Sequence, residues 1–423
     1  MEKFKRLQNI FKGDRVIWGI FTMLLIVSVV EVYSASASLG YKSGNYWFAA
    51  TFHSAILIVG VMCMVVVLNI PCRYFKAMTP IIFLLSVFLL AIVYVIGTKE
   101  NDATRWIPLG PFSLQPSEIA KGSLVLTTAH ILSQLQTPEG VAKKAFKYVM
   151  ITSAILIGLV FPENFSTAAL MALVVFIMMF VGRVSFKQLL GLMASVVSLI
   201  AIFIMLVMFI GQSRSQASQT ADSDNNAYTE MSEEKEEHKH SERGAVLHRV
   251  DVWKERIVSF MDFEKVPPEK YDMDKKGQEG RAHIAIASSN VIGVGPGNSR
   301  QRDLLPLAFS DFIYAIVFEE LGLFGAFVVA MLYIMLLFRT GWIAMNCENT
   351  FPALLAMGLA LMIVVQALFN MCVAVGLAPV TGQPLPLISK GGTSSIINCI
   401  YIGVILSVSR TAKKRTDMKH SVA

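Results

Sequence analysis

Charged residues are scarce in this chain of 423 residues: Lys, Arg, Asp and Glu account for only 16% of it, whereas hydrophobic residues account for 54%. Apolar runs of about 20 residues recur instead, which is the length that crosses a lipid bilayer. Because every backbone polar group must be paired within lipid, such runs form helices. The scarcity of charge therefore excludes a soluble domain and predicts a polytopic membrane protein.

Other absences exclude further classes. No cysteine lies in the large predicted outer loop, residues 212–309, so we expect no structural disulfide there. The basic residues behind the net charge of +7 form no single stripe, which argues against nucleic-acid binding. The stretch HKH, with His238 and His240, lacks a third placed ligand, so we predict no metal site in it.

We predict an all-α fold of about ten transmembrane helices, with one large extracytoplasmic loop between helices 7 and 8. Lys and Arg are concentrated in the two tails and the predicted inner loops, which by the positive-inside rule places both termini in the cytoplasm. The candidate spans lie near residues 16–36, 47–70, 79–97, 116–134, 146–162, 165–182, 188–211, 310–338, 352–376 and 387–409.

These spans define the predicted domains. The polar insert at residues 213–247, within the outer loop, has few apolar residues to bury and is expected to be disordered. The segment after it has apolar residues at helical spacing, which indicates an amphipathic helix on the membrane or, alternatively, a helix packed in a small extramembrane cap. The predicted parts are a cytoplasmic tail (1–15), helices 1–7 (16–211), the outer loop (212–309, with the insert at 213–247 and the amphipathic helix at 248–262), helices 8–10 (310–409) and a basic cytoplasmic tail (410–423).

Three carboxylates stand at and beneath the rim of the predicted eighth span, in the stretch DLLPLAFSDFIYAIVFEELGLFG. Asp311 lies where a polar loop becomes apolar, so its carboxylate can reach water as well as a cavity mouth. An acid there also suits a helix cap. Glu319 and Glu320 lie roughly 12–13 Å further along a helix. We expect those two, and Glu31 in the first span, to be protonated or hydrogen-bonded structural groups.

A second polar stretch, RWIPLGPFSLQPSEIAK, precedes and enters the fourth span. Pro116 suits the first turn of a helix, and Glu118 and Lys121 share one helix face. Charged groups within a span are functional candidates, although a structural ion pair is an equal alternative here. Arg105 could bind a phosphate, or its side chain could extend to the headgroup level beside Trp106.

A third stretch, TGQPLPLISKGGTSS, lies at the start of the tenth span. Its prolines and glycines predict irregular backbone, which membranes tolerate where it lines a cavity. Ser389 and Thr393 supply hydroxyls, and Lys390 supplies a cation. Packing of helices through small residues is the alternative. Together the three stretches suit a lipid-linked anionic substrate, with cations holding phosphates and a carboxylate moving a proton.

In order and spacing, these three stretches resemble the signatures of the SEDS (shape, elongation, division and sporulation) family. The resemblance implies a peptidoglycan glycosyltransferase that polymerises lipid II outside the bacterial cytoplasmic (inner) membrane. It also implies that Asp311 is catalytic and that Arg105 matches a conserved arginine. The family's QPSE-x-x-K motif falls on Gln115, Pro116, Ser117, Glu118 and Lys121.

Two departures from the family pattern concern substrate contacts. PENFSTA, with Glu163 as its acid, replaces the usual QPD-x-GTA, and Lys390 stands where an aromatic residue is common. TGQPLPLISKGG and the long outer loop favour the FtsW-like division branch over the RodA-like branch. The implied partners are lipid II, the nascent glycan, a class B penicillin-binding protein, other division proteins and membrane lipid, with no nucleic acid.

The leading mechanism is an inverting glycosyl transfer with Asp311 as general base. Arg105, Lys121 and Lys390 would stabilise the leaving diphosphate, and Gln115, Ser117, Glu118, Ser389 and Thr393 would complete the substrate site. The mechanism requires no cofactor, although a divalent cation remains an open alternative. A lipid II flippase is a second hypothesis, but a transporter should have internal repeats and a midplane site, and neither is evident. A non-catalytic scaffold is the third.

Overall fold

The computed structural model describes residues 12–35, 48–100, 103–109, 112–138, 140–198, 277–305 and 309–422. The predicted insert at 213–247 and amphipathic helix at 248–262 lie outside these residues. The helices are α1 (Arg15–Ala35), α2 (Phe48–Leu68), α3 (Cys72–Ile96), α4 (Pro116–Gln134), α5 (Lys143–Val160), α6 (Phe165–Val181), α7 (Phe186–Ser198), α8 (Gly277–Ala287), α9 (Ile313–Met345), α10 (Thr350–Ala374) and α11 (Thr393–Val422).

Each of the ten predicted spans overlaps a helix of the described residues. Six of these helices are long and apolar enough to cross a membrane: α1, α2, α3, α9, α10 and α11. Helices α6 and α7 are apolar but shorter, and α4 and α5 are not among the six. A mostly helical, multi-pass membrane protein is thus supported, while the count of ten crossings and the position of the large loop stay predictions. Helix α11 also extends through most of the predicted basic tail.

The described residues are mostly helical, but they also contain two small antiparallel sheets that the all-α prediction did not include. Strands β1 (Thr98–Glu100), β2 (Ala103–Leu109) and β3 (Phe112–Leu114) form an antiparallel sheet in that order, and β4 (Gln136–Thr137) pairs with β5 (Gly140–Val141). In β2, Ile107 faces Leu114 of β3 and Pro108 faces Ser113. Proline disfavours a helix interior and Ile favours a strand, so this short polar segment pairs as strands instead.

Helix α9 is interrupted at Gly322, whose backbone has φ 71° and ψ −176°. The loop after α8 inserts at this break. Leu323 N and Phe324 N donate to the carbonyls of residues 290 and 291, and residues 294 and 295 donate to the carbonyls of residues 319 and 320. The loop therefore pairs backbone groups that the break leaves unpaired. A Cβ on Gly322 would lie 2.4 Å from Gly293 N, so only glycine fits both the conformation and the space.

Two compact units make up the chain: residues 1–185 with 267–423, and residues 186–266. Helix α7 is the described part of the second unit. Helix α10 is the most enclosed helix of the first unit, with most of its side chains buried against α4, α6, α9 and α11. Its polar side chains therefore point into protein and need protein partners.

Candidate active site

Asp311 lies in the turn before α9, whose first helical residue is Ile313. Its side chain is half-buried, and the Ser310 hydroxyl donates to its Oδ1 at 2.9 Å. The residue at the N-cap position of α9 is Phe312, whose side chain makes no capping hydrogen bond. A Cβ on Gly382 would lie 3.4 Å from Asp311 Oδ2. The carboxylate therefore sits against the loop that joins α10 to α11, residues 375–392, hereafter the 375–392 loop.

The 375–392 loop holds the Asp311 turn through two consecutive residues. The Ser389 hydroxyl donates to Ser310 O at 2.6 Å and accepts from Leu385 N at 2.7 Å. Lys390 N donates to Phe309 O at 3.0 Å. Ser389, which the sequence predicted as a substrate contact, is 2% exposed and uses its hydroxyl proton within the protein. In this arrangement Ser389 fixes the turn that carries Asp311.

The Lys390 side chain brings a cation beside the same turn. Its Nζ lies 4.8 Å from the centroid of the Phe309 ring, two residues before Asp311. Lys390 is half-buried. A cation over an aromatic face is stabilised by the ring quadrupole. Of the three cations predicted from sequence, Lys390 is the one that the structure places against the Asp311 turn.

The predicted pair on α4 is present and deeply buried. Lys121 Nζ lies 2.9 Å from Glu118 Oε1, and the two residues are 1% and 2% exposed. Lys121 Nζ also donates to Gln366 Oε1 on α10 at 2.6 Å. A buried charge needs such partners to offset its desolvation. Glu118 Oε2 is buried and has no hydrogen-bond partner among the described residues.

Three amide residues that were not predicted from the sequence connect these parts. Asn370 Nδ2 donates to Asp311 O and to Gln383 O, each at 2.7 Å. Gln366 Nε2 donates to Pro384 O at 3.0 Å. Gln383 Nε2 donates to Thr167 Oγ1 at 2.7 Å. Gln366 and Asn370 are four residues apart in an otherwise apolar helix, and that spacing was the available signal for them.

Arg105 in β2 contacts the turn between α5 and α6. Its Nε donates to Glu163 O at 2.9 Å, and Arg105, Ser117 and Glu163 line one small cavity. The Asn164 side chain caps α6 by accepting from Thr167 N at 3.1 Å, and it also accepts from Gln383 Nε2 at 3.2 Å. The PENFSTA departure thus joins Arg105 to the 375–392 loop, a connection that motif matching did not predict.

Gln115 in the second stretch and Thr393 in the third stretch each make a hydrogen bond within the protein. The Gln115 carbonyl accepts from Glu118 N at 3.1 Å, and Pro116 occupies the first turn of α4 as the sequence predicted. The Thr393 hydroxyl donates to Ser113 O of β3 at 2.8 Å. The structure therefore brings both stretches together, and it gives the Thr393 hydroxyl a protein partner.

Glu319 and Glu320 have the hydrogen bonds that the sequence predicted for structural groups. Glu319 accepts from the Ser299 hydroxyl and from Arg300 N at 2.9 Å, and Glu320 accepts from the Ser34 hydroxyl. Glu31 is fully buried, and its carboxyl oxygens have no hydrogen-bond partner among the described residues. The hydrogen-bonded alternative is therefore not seen for Glu31, while protonation stays a prediction.

A divalent cation remains untested. Within the described ranges, no three His, Cys, Asp or Glu side chains lie close enough to hold a metal ion. What the described groups offer chemically is a partly accessible carboxylate, an ammonium beside its turn, and a buried ion pair that Gln366 connects to the 375–392 loop. Such a set can take up a proton and stabilise developing negative charge.

Matches to known proteins cover most of the chain. The model of the FtsW/RodA/SpoVE family, described as "Cell cycle protein", matches residues 14–230 and 243–414. A Geobacter metallireducens protein named "Probable peptidoglycan glycosyltransferase FtsW" is 29% identical over 412 residues, covering 96% of this chain and 97% of that protein. The Escherichia coli K12 protein "Peptidoglycan glycosyltransferase MrdB" is 28% identical over 389 residues, covering 92% of each.

Solved structures share the fold. A chain from the work described as "Structural coordination of polymerization and crosslinking by a peptidoglycan synthase complex" matches with a TM-score of 0.68 and 22% identity, covering 95% of this chain and 98% of that one. The crystal structure of the Thermus thermophilus rod shape determining protein RodA matches with a TM-score of 0.62 and 21% identity, with the same coverage.

Proposed function

The chain belongs to the FtsW/RodA/SpoVE family of cell cycle proteins, and from this premise we propose that it is a peptidoglycan glycosyltransferase that polymerises lipid II. The observation that carries the proposal is the match, over nearly the full length of both chains, to relatives named for this activity. The protein would act at the outer face of the bacterial cytoplasmic membrane, with both termini in the cytoplasm.

The proposed reaction is an inverting displacement in which Asp311 is the general base. The Asp311 carboxylate accepts the proton of the acceptor's GlcNAc 4-hydroxyl, and that oxygen forms a bond to the anomeric carbon of the donor MurNAc. The bond from this carbon to the diphosphate oxygen breaks, and polyprenyl diphosphate leaves with the electron pair. The half-buried position of Asp311 supports this role, because a general base must reach a bound hydroxyl.

Charge that develops on the diphosphate requires cations in the site. Lys390 suits this role best, because its side chain lies beside the Asp311 turn. Lys121 and Arg105 each have partners within the protein. We assign them the same task as the sequence predicted. Gln115, Ser117, Glu118, Ser389 and Thr393 complete the proposed substrate site.

We assign the protein to cell division, with a class B penicillin-binding protein as its transpeptidase partner. Relatives named FtsW and MrdB match with similar identity, so the assignment rests on TGQPLPLISKGG and the long loop. The related chain from work on a peptidoglycan synthase complex supports a polymerase that works beside a crosslinking enzyme. Lipid II, nascent glycan, other division proteins and membrane lipid are the remaining proposed partners.

The test is polymerisation of purified lipid II by the purified protein, with and without a class B transpeptidase. Asp311→Asn, prepared identically, is the matched control for contaminating polymerases. We expect the variant to fold, to bind lipid II and to lose about 10²–10⁴-fold in rate, because Asn cannot act as a base. Equal glycan synthesis by both proteins would remove Asp311 from the mechanism. Transport of lipid II across proteoliposomes without glycan synthesis would replace the proposed function with a flippase.

A further inference from the structure

We propose that Asn370 and Gln366 on α10 are positioning residues for this glycosyl transfer. Asn370 would fix the turn that carries Asp311, and Gln366 would fix the ammonium of Lys121. The inference rests on the proposed function, because it assigns these amides to the same site. Neither residue lies in the three stretches that the sequence singled out.

Asn370 acts on Asp311 through the backbone. Its Nδ2 has two protons and donates both, one to Asp311 O and one to Gln383 O, each at 2.7 Å. Asn370 is 1% exposed, so water does not compete for these bonds. The carbonyl and the side chain of Asp311 are both attached close to its Cα atom. A hydrogen bond that restrains the carbonyl therefore also restrains the position from which the carboxylate extends.

Gln366 acts on Lys121 directly. Its Oε1 accepts from Lys121 Nζ at 2.6 Å, while its Nε2 donates to Pro384 O at 3.0 Å. Gln366 is also 1% exposed. Because the Lys121 ammonium only donates and an amide nitrogen cannot accept, Gln366 must turn its oxygen to Lys121, and its Nε2 then faces the 375–392 loop. The position of the ammonium is therefore linked to the position of the loop.

Both amides lie on one face of one helix, since residues four apart are neighbours on a helix surface. Helix α10 is buried along most of its length and gives both contacts a rigid base. The base at Asp311 lies in the turn before α9 and the cation at Lys121 lies on α4, and these two segments are distant in sequence. Because both groups are hydrogen-bonded to the same helix, α10 can hold them at a fixed distance from each other. A misplacement of about 1 Å between reacting groups can cost about 10²-fold in rate.

A purely structural role would give a different experimental pattern. If the amides only pair loop carbonyls, removing them lowers stability, and any rate loss combines independently with the loss from Asp311→Asn. If Asn370 works through Asp311, its removal matters little once the base is gone. Non-additivity in a double-mutant cycle separates the two roles.

The first experiment measures kcat and KM for lipid II polymerisation by the full-length purified protein. We expect Asn370→Ala to lower kcat by about 10²-fold, with a much smaller change in KM, because the lost contact positions the base and binds no substrate. Asn370→Ala with Asp311→Asn should be about as active as Asp311→Asn alone. A double variant slower than Asp311→Asn by the full Asn370→Ala factor would overturn the inference.

Gln366→Met gives an independent arm that does not require Asn370→Ala to fold. The substitution removes both hydrogen bonds of the Gln366 amide and keeps a similar side-chain length. We expect it to lower kcat in the wild-type background but to cause little further loss of kcat in the Lys121→Met background. Thr340→Val is the matched control, because it removes a buried hydroxyl that bonds to Leu336 O of its own helix at 2.8 Å. This control should keep the kcat of the wild type.

The outcomes separate the two proposals. A wild-type protein that makes no glycan would refute the proposed function, and the positioning inference with it. An active wild type whose Asn370→Ala and Gln366→Met variants keep wild-type kcat would refute the positioning inference alone. Unfolding midpoints, recorded for each variant, identify a rate loss that comes from an unfolded fraction.

Discussion

Replacing Lys121 with Met tests how strongly the protein depends on its buried ion pair. The substitution leaves the Glu118 carboxylate buried without its cation, a change that typically costs about 3–5 kcal/mol. It also leaves Gln366 Oε1 without the donor that lies at 2.6 Å. An unsatisfied buried acceptor costs about 1–3 kcal/mol, although the two terms share atoms and are not additive. We therefore expect the free energy of unfolding to fall by at least about 3 kcal/mol.

Removing the second charge should restore most of that stability. In Glu118→Gln with Lys121→Met, no charge is left buried, and the remaining defect is the Gln366 oxygen, worth about 1–3 kcal/mol. If Lys121 stabilises the leaving diphosphate, the double variant should fold but polymerise poorly. Stability and activity are then separated within one pair of residues.

The assay is unfolding in detergent at fixed protein and detergent concentrations, followed by lipid II polymerisation at a temperature where each variant is folded. Thr340→Val is again the control for a buried polar change away from the pair. An unchanged unfolding midpoint in Lys121→Met would refute the reasoning on burial. Wild-type polymerisation by the double variant would refute a substrate role for Lys121.

Three further predictions concern other parts of the chain. Deleting residues 215–245 should leave membrane accumulation unchanged, because the insert has few apolar residues to bury; loss of the protein from membranes would contradict this. Burial raises the pKa of the Asp14 carboxyl, but hydrogen bonds from Arg339 and two backbone N–H groups outweigh this effect and bring the pKa below its ordinary value of 3.8. Stability from this group is therefore lost as pH falls below that value, and Asp14→Asn should reduce the acid sensitivity of unfolding. Gly322→Ala should destabilise the protein by at least about 1–3 kcal/mol, whereas Gly19→Ala, with open space around its Cβ position, should not.

Features set by neighbours in sequence were predictable. The start of α4 at Pro116, the Glu118–Lys121 contact and the positions of the helices follow from local spacing and hydropathy. The break in α9 was not predicted, because membrane helices tolerate glycine and the apolar run resumes directly after Gly322. The strands before α4 were missed since they are short, and pairing decides them more than any single residue's preference.

Contacts between distant segments were beyond sequence reasoning. Lys121 meets Gln366 across 245 positions, and Gln383 meets Thr167 across 216. Helical periodicity identifies an apolar face, but it does not say which helix will cover that face. The sequence therefore identified Asp311 and the charged candidates, while the residues that connect them came only from the structure.

Those connections also explain how an irregular loop can lie within a helix bundle. Pro384 and Pro386 remove backbone donors from the 375–392 loop and interrupt helix formation, so nearby carbonyls need other partners. Side chains from three helices supply them: Gln366 bonds to Pro384 O, the Tyr333 hydroxyl to Pro386 O, and Ser28 to Ile388 O. With its carbonyls bonded to α10, α9 and α1, the loop costs little to bury and has little freedom to move. The same loop holds the Asp311 turn through Ser389, so the bonds that make burial possible also fix the proposed base.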